Sequence, residues 1–148
     1  KDVLVEIGGE LRGKGKSPKS ASFWRVGIDS PLQNEERNIH AVVPLNNKAL
    51  ATSGNYRKYR IDSLTGEKFV HSINPLKGEP VRSNVLSASV LAEDCMSADA
   101  YATALMVMPF AQAKQMIEEN KELEAFWILS DKKGELTEAY SSGWKRNN

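Results

Sequence analysis

From Ser97 to Met108 the chain runs without a glycine or proline and is dominated by Ala, Leu, Met and Val. Such a stretch favours helix, with Ser97 placed to cap it. Pro109 suits the start of a second helix, in which Phe110, Ala113, Met116 and Ile117 share one face. Everything upstream is cut by glycine, proline, asparagine and serine into short β-rich runs. Many short strands and a late helix pair can bury their apolar faces only by layering the helices on a sheet.

The strands read as follows. Residues 3–7 are β-rich and end at Gly8-Gly9, where the backbone can turn. Residues 10–21 are rich in Gly, Lys and Ser and read as a loop. Residues 23–28 alternate as a strand and stop at Asp29-Ser30-Pro31; residues 39–43 and 49–52 follow, the latter running into Ser53-Gly54-Asn55. Residues 56–61 and 67–71 flank Ser63-Leu64-Thr65-Gly66, which is hairpin chemistry. Residues 72–83 hold two prolines and should be irregular, residues 86–92 alternate Ser with apolar side chains, and residues 125–129 and 135–139 close the chain as strands. The expected class is α+β: a largely antiparallel or mixed sheet packed by a late helix pair, in one domain without repeat or linker.

Composition narrows the function. The 148 residues are 41% hydrophobic, with 20 basic against 19 acidic side chains for a net charge of +1. Disorder is excluded, and so is the basic excess that drives non-specific nucleic-acid binding. The single cysteine, Cys95, cannot form an internal disulfide. No run approaches the roughly 18 apolar residues of a membrane span. The chain opens Lys1-Asp2 without a starting Met or a signal-peptide pattern, which fits a processed end or an internal fragment.

Several constellations carry possible chemistry. Gly8 to Lys14 has the G-x-x-x-x-G-K spacing of a phosphate loop, but Gly15 stands where Ser or Thr would hold magnesium and no helix follows. A tight turn beside a cleft is the better reading. Asp99 and Thr103 are i and i+4 on the first helix, so both oxygens project from one face. A helix this apolar on all sides is normally buried, and a buried carboxylate needs a partner. A hard cation would satisfy both groups, since Mg²⁺ takes one or two protein oxygens and fills its shell with phosphate and water. The alternative is that Asp99 complements the helix dipole and Thr103 bonds back to a carbonyl. His40 lies in an apolar strand and reads as structural; His71 precedes a proline-fixed loop, where functional groups concentrate. Trp24, Trp127 and Trp144 lack the spacing of a base-stacking surface.

Five blocks stand in order along the chain: Val5-Glu6-Ile7-Gly8-Gly9-Glu10; Trp24-Arg25-Val26-Gly27-Ile28 with Pro31; Thr52-Ser53-Gly54-Asn55-Tyr56; His71-Ser72-Ile73-Asn74-Pro75 with Gly78 and Pro80; and Ala98-Asp99-Ala100-Tyr101-Ala102-Thr103-Ala104. Together they resemble the carboxy-terminal half of the ApbE family, the FAD:protein FMN transferases. The resemblance implies an enzyme that binds FAD with Mg²⁺, transfers FMN to a Ser or Thr hydroxyl of a target protein and releases AMP. Hydrolysis of FAD to FMN and AMP, or flavin binding without catalysis, are the alternatives. It implies Asp99 and Thr103 as metal ligands and His71 as a catalytic residue that orients FAD or takes the proton of the attacking hydroxyl. Ile73, through its backbone, and Thr52, Ser53 and Gly54 are implied in lining the cofactor cleft.

Some positions depart from the family pattern. Ala102 stands where some members carry an acidic residue, Asn74 where Asp is frequent and Lys77 where Thr is frequent. Asp62-Ser63-Leu64-Thr65 does not fit the acceptor motif that the family modifies, so self-flavinylation is not expected. Residues 1–148 correspond to the carboxy-terminal part of a single ApbE-like domain. The amino-terminal half, absent from this chain, would hold a lipid anchor, much of the FAD pocket and a further metal ligand. The expectation is a piece inactive alone. Its longer form would be a periplasmic lipoprotein, membrane-associated only through that anchor. Its acceptors would be flavoprotein subunits of membrane redox complexes, with no nucleic acid involved.

Overall fold

A computed structural model of the protein describes residues 1–31, 38–55, 59–61, 68–70, 73–76, 78–81, 83–131 and 133–144. In chain order the elements are β1 (Val3–Ile7), β2 (Glu10–Lys14), β3 (Trp24–Asp29), β4 (Ile39–Leu45), β5 (Ala49–Gly54), β6 (Tyr59–Ile61), β7 (Lys68–Val70), β8 (Ile73–Asn74), β9 (Glu79–Pro80), β10 (Val85–Ala92), α1 (Cys95–Val107), α2 (Phe110–Glu119), β11 (Glu124–Ser130) and β12 (Leu136–Tyr140). Six of the strands form one sheet in the order β1-β2-β5-β10-β11-β12, antiparallel throughout. The α+β expectation is met.

Side-chain alternation gives this sheet two unlike faces. One presents Ala49, Ala51, Ala88, Val90 and Ala92 to the buried stripe of α1, Ala98, Ala102, Leu105 and Met106, while Trp127 of β11 meets Phe110 of α2 edge-on at 5.5 Å. Small residues on both partners let the helix lie close to β5 and β10. The other face presents Leu50, Phe126 and Ile128, covered by Val26 and Ile28 of β3, Val43 and Leu45 of β4, and Trp144. Phe126 stacks on Tyr140 at 5.0 Å and on Trp144 at 5.6 Å between ring centroids. His40 stacks on Phe126 as well, and its Nε2 meets Glu138 Oε1 at 2.7 Å, the structural role its setting suggested.

Three expectations need correction. Residues 10–14 are a strand, not a loop. Gly8 and Gly9, at φ 66° and 104°, make a two-residue turn that returns the chain along β1, pairing Ile7 with Glu10 and Val3 with Lys14. Gly13 sits in that strand because β4 crosses it so closely that a Cβ would lie 2.6 Å from that of Leu45.

The cap of α1 is Asp94 rather than Ser97. Asp94 Oδ1 accepts the Ser97 backbone N–H at 2.8 Å, and the Ser97 hydroxyl donates to Oδ2 at 2.9 Å. Two donors on one carboxylate hold Asp94 below the usual carboxylate range. Helix α1 is also not buried all round: Met96 is 80% exposed, and Asp99 and Thr103 lie on the open side.

The remaining expectations hold with small shifts. Strands β6 and β7 pair as the hairpin chemistry suggested, although its turn falls outside the described residues. Within the proline-rich stretch β8 and β9 form a minimal ladder, Ile73 opposite Pro80 and Asn74 opposite Glu79. Among the described residues no helix is long and apolar enough to cross a membrane.

Candidate functional site

The open side of α1 forms one strip. Asp99, Thr103 and Val107 follow at helical i, i+4, i+8 spacing, so they project in nearly one direction. A pocket of about 300 Å³ lies at the amino-terminal end, lined by Val5, Ile7, Glu10 and Arg12 from the β1–β2 hairpin and by Cys95, Met96 and Asp99 from the helix. A second, of about 430 Å³, lies at the carboxy-terminal end between Val107 and Phe110 on one side and Asn74, Glu79 and Pro80 on the other. Asp99 and Thr103 therefore stand between two concavities.

Ser53 joins them from the sheet. Its Oγ is 3.2 Å from Thr103 Oγ1, linking the end of β5 to the middle of α1. Thr52, its neighbour, points to the opposite face, where its hydroxyl meets that of buried Ser89 at 2.7 Å. Strand alternation thus separates two adjacent residues expected to share one cleft. Gly54 ends β5 opposite Ser87. Ile73 is half-exposed on β8, next in sequence to Asn74 of the second pocket. His71 lies outside the described residues.

The donor set suits a hard cation with few protein ligands. Asp99 offers a carboxylate on an open surface and Thr103 a neutral oxygen one turn away. No group of three or more His, Cys, Asp or Glu converges among the described residues. Mg²⁺ fits, because it keeps several waters or phosphate oxygens around one or two protein groups. Burial is not what makes Asp99 need a partner, since the residue is exposed.

Glu10, Arg12 and Cys95, all beside Asp99, escaped sequence reading. The signal was present in Gly8-Gly9, which turns residues 10–14 into a return strand and puts Glu10 and Arg12 on the same face as Val5 and Ile7. The Cys95 thiol donates to the Leu11 carbonyl at 3.6 Å; burial pushes it up, with Arg12 opposing.

Comparison with known proteins identifies the family. A FAD:protein FMN transferase of Haemophilus influenzae is 37% identical over 145 residues, 98% of this chain and 40% of that protein. One from Vibrio cholerae is 37% identical over 120 residues, 81% of this chain and 35% of that protein. Among solved structures, the apo form of Pseudomonas stutzeri flavinyl transferase ApbE matches with a TM-score of 0.74 at 29% identity, covering 94% of this chain and 41% of that one. The flavin transferase ApbE of Vibrio cholerae matches with a TM-score of 0.74 at 34% identity, covering 94% and 42%. The chain thus spans about 40% of the length of its first curated relative. With residues 1–127 matching the family's sequence pattern, the chain belongs to the ApbE family.

Proposed function

We propose that this chain supplies the cation-holding part of an enzyme that transfers FMN from FAD to a Ser or Thr hydroxyl of a target protein, releasing AMP. The exposed Asp99–Thr103 pair, flanked by a pocket at each end of its strip, carries this reading. The names of the relatives, FAD:protein FMN transferase, agree with it. Bound Mg²⁺ would supply charge neutralisation for the pyrophosphate and for the departing AMP. Asp99 would hold it through the carboxylate and Thr103 through the hydroxyl oxygen. Arg12, lining the pocket next to Asp99, adds a positive charge on the same side.

In the reaction, the acceptor oxygen bonds to the phosphorus of the FMN half. The phosphorus–oxygen bond to AMP breaks, and the hydroxyl proton passes to a base. We assign that base, or the orientation of FAD, to His71, on the family resemblance alone. Ile73 and Gly54 are assigned to the cofactor cleft on the same ground, as are an extracytoplasmic, lipid-anchored setting and acceptors in membrane redox complexes. Thr52 is a poorer candidate, because it faces away from α1.

The chain spans about 40% of the Haemophilus influenzae protein, so the test joins it to the remaining part of that protein. The joined protein is mixed with FAD, Mg²⁺ and a peptide bearing an acceptor threonine. Transfer predicts AMP release and flavin fluorescence that stays with the peptide after denaturation. AMP with free FMN would show hydrolysis instead, and FAD bound unchanged would show a flavin holder. Without the added part, the chain is expected to release no AMP.

A further inference from the structure

We infer that Ser53 is a positioning residue: its hydroxyl holds that of Thr103 away from its own helix and leaves a Thr103 oxygen lone pair beside Asp99 for a divalent cation. The inference rests on the cation site proposed above. A threonine within a helix has two accessible rotamers, and in one its hydroxyl bonds to a carbonyl a turn earlier. For Thr103 the carbonyl four residues back is that of Asp99. A hydroxyl bonded there spends its proton inside the helix and turns its oxygen toward the backbone.

The sheet supplies the competing partner. On the helix-covered face of the sheet, β5 presents Ala49, Ala51 and Ser53, β10 presents Ala88, Val90 and Ala92, and β11 presents Ala125, Trp127 and Leu129. Ser53 is the only hydroxyl among these side chains, and it stands 3.2 Å from Thr103 Oγ1. An alanine would serve packing on this face equally well, as it does at most of the neighbouring positions. With Ser53 as the acceptor, one of the two directions this contact permits, the Thr103 oxygen keeps both lone pairs and turns them away from its own backbone, leaving one for a cation. Coordination would make the Thr103 hydroxyl a better donor, so the cation and the Ser53 bond strengthen each other. Groups that orient a metal ligand in this way typically change affinity by about 10–100-fold when removed.

The test is Mn²⁺ binding by the joined protein described above, with free Mn²⁺ followed by electron paramagnetic resonance. Ser53→Ala should weaken binding about tenfold, Ser53→Thr should restore it, and the melting temperature should stay unchanged in both. In a Thr103→Val background, Ser53→Ala should cause no further loss, because Ser53 acts through Thr103. Asp99→Asn separates this inference from the reading beneath it. If Asp99→Asn weakens binding and Ser53→Ala does not, the role of Ser53 is overturned while the cation site stands. If the joined protein binds no Mn²⁺, or Asp99→Asn binds as wild type does, both fall. A loss in Ser53→Ala that persists undiminished in the Thr103→Val background would also overturn the positioning role.

Discussion

The two faces of the central sheet are built for different ends. Toward β3 and β4 the sheet offers large side chains, Leu50, Phe126 and Ile128, closed by Trp144 and by stacked rings. Toward α1, β5 and β10 offer mainly alanine, so the helix settles close and sets Thr103 within hydrogen-bond reach of Ser53. The first face closes on stacked aromatic rings; the second packs the small side chains of β5 and β10 against α1, sets Trp127 edge-on to Phe110, and leaves Asp99 and Thr103 along the open edge of the helix. Candidate chemistry sits on the helix-covered side of the sheet, along the open edge of α1.

This contrast can be broken by substitution, face by face. Phe126→Ala should cost about 3–5 kcal/mol, as removal of a buried aromatic side chain does. Where that variant still folds, its Mn²⁺ affinity should match wild type; a loss of both would show that the faces are not independent. Ala102→Leu, at the fully buried contact of α1 with the sheet, should cost about 1–3 kcal/mol by overpacking. Unlike Phe126→Ala, it should also weaken cation binding by lifting Thr103 from Ser53. Calorimetric unfolding alongside Mn²⁺ titration checks both.

A smaller effect concerns the start of the helix. Asp94→Ala removes the cap and should lower the melting temperature by a few degrees near neutral pH. Because Asp94 is depressed in the folded state, its contribution is present above the ordinary carboxylate range and is lost as pH falls through its folded value. The gap between wild type and variant should accordingly close on acidification. A gap that widened would show that the carboxylate is not the capping group.

Much of this architecture was legible from periodicity. The helix pair, the closing strands and the strands at residues 23–28 and 86–92 follow from local pattern, because their apolar side chains repeat at the period of their element. Strand β2 was missed because its Gly and Lys content imitates a loop; what makes it a strand is non-local pairing with β1 and β5. Nothing local distinguishes Ser97 from Asp94 as the cap, and only the geometry shows which side chain accepts the amide. The i, i+4 spacing of Asp99 and Thr103 is legible in the sequence, but their exposure is not: a helix this apolar suggests burial, and both residues are exposed. Composition registers how apolar a helix is, whereas exposure depends on how many layers the rest of the fold supplies. The partnership of Ser53 with Thr103 spans 50 positions and has no local signature.

The central claim is that Asp99 holds a cation for chemistry and contributes little to the fold. The most direct measurement is AMP release from FAD across a Mg²⁺ titration, comparing wild type with Asp99→Asn in the joined protein. The account predicts that the variant needs at least about tenfold more Mg²⁺ for half-maximal release. Its unfolding free energy should stay within about 0.5 kcal/mol of wild type, as for an exposed substitution. A Mg²⁺ curve that Asp99→Asn leaves in place would contradict it.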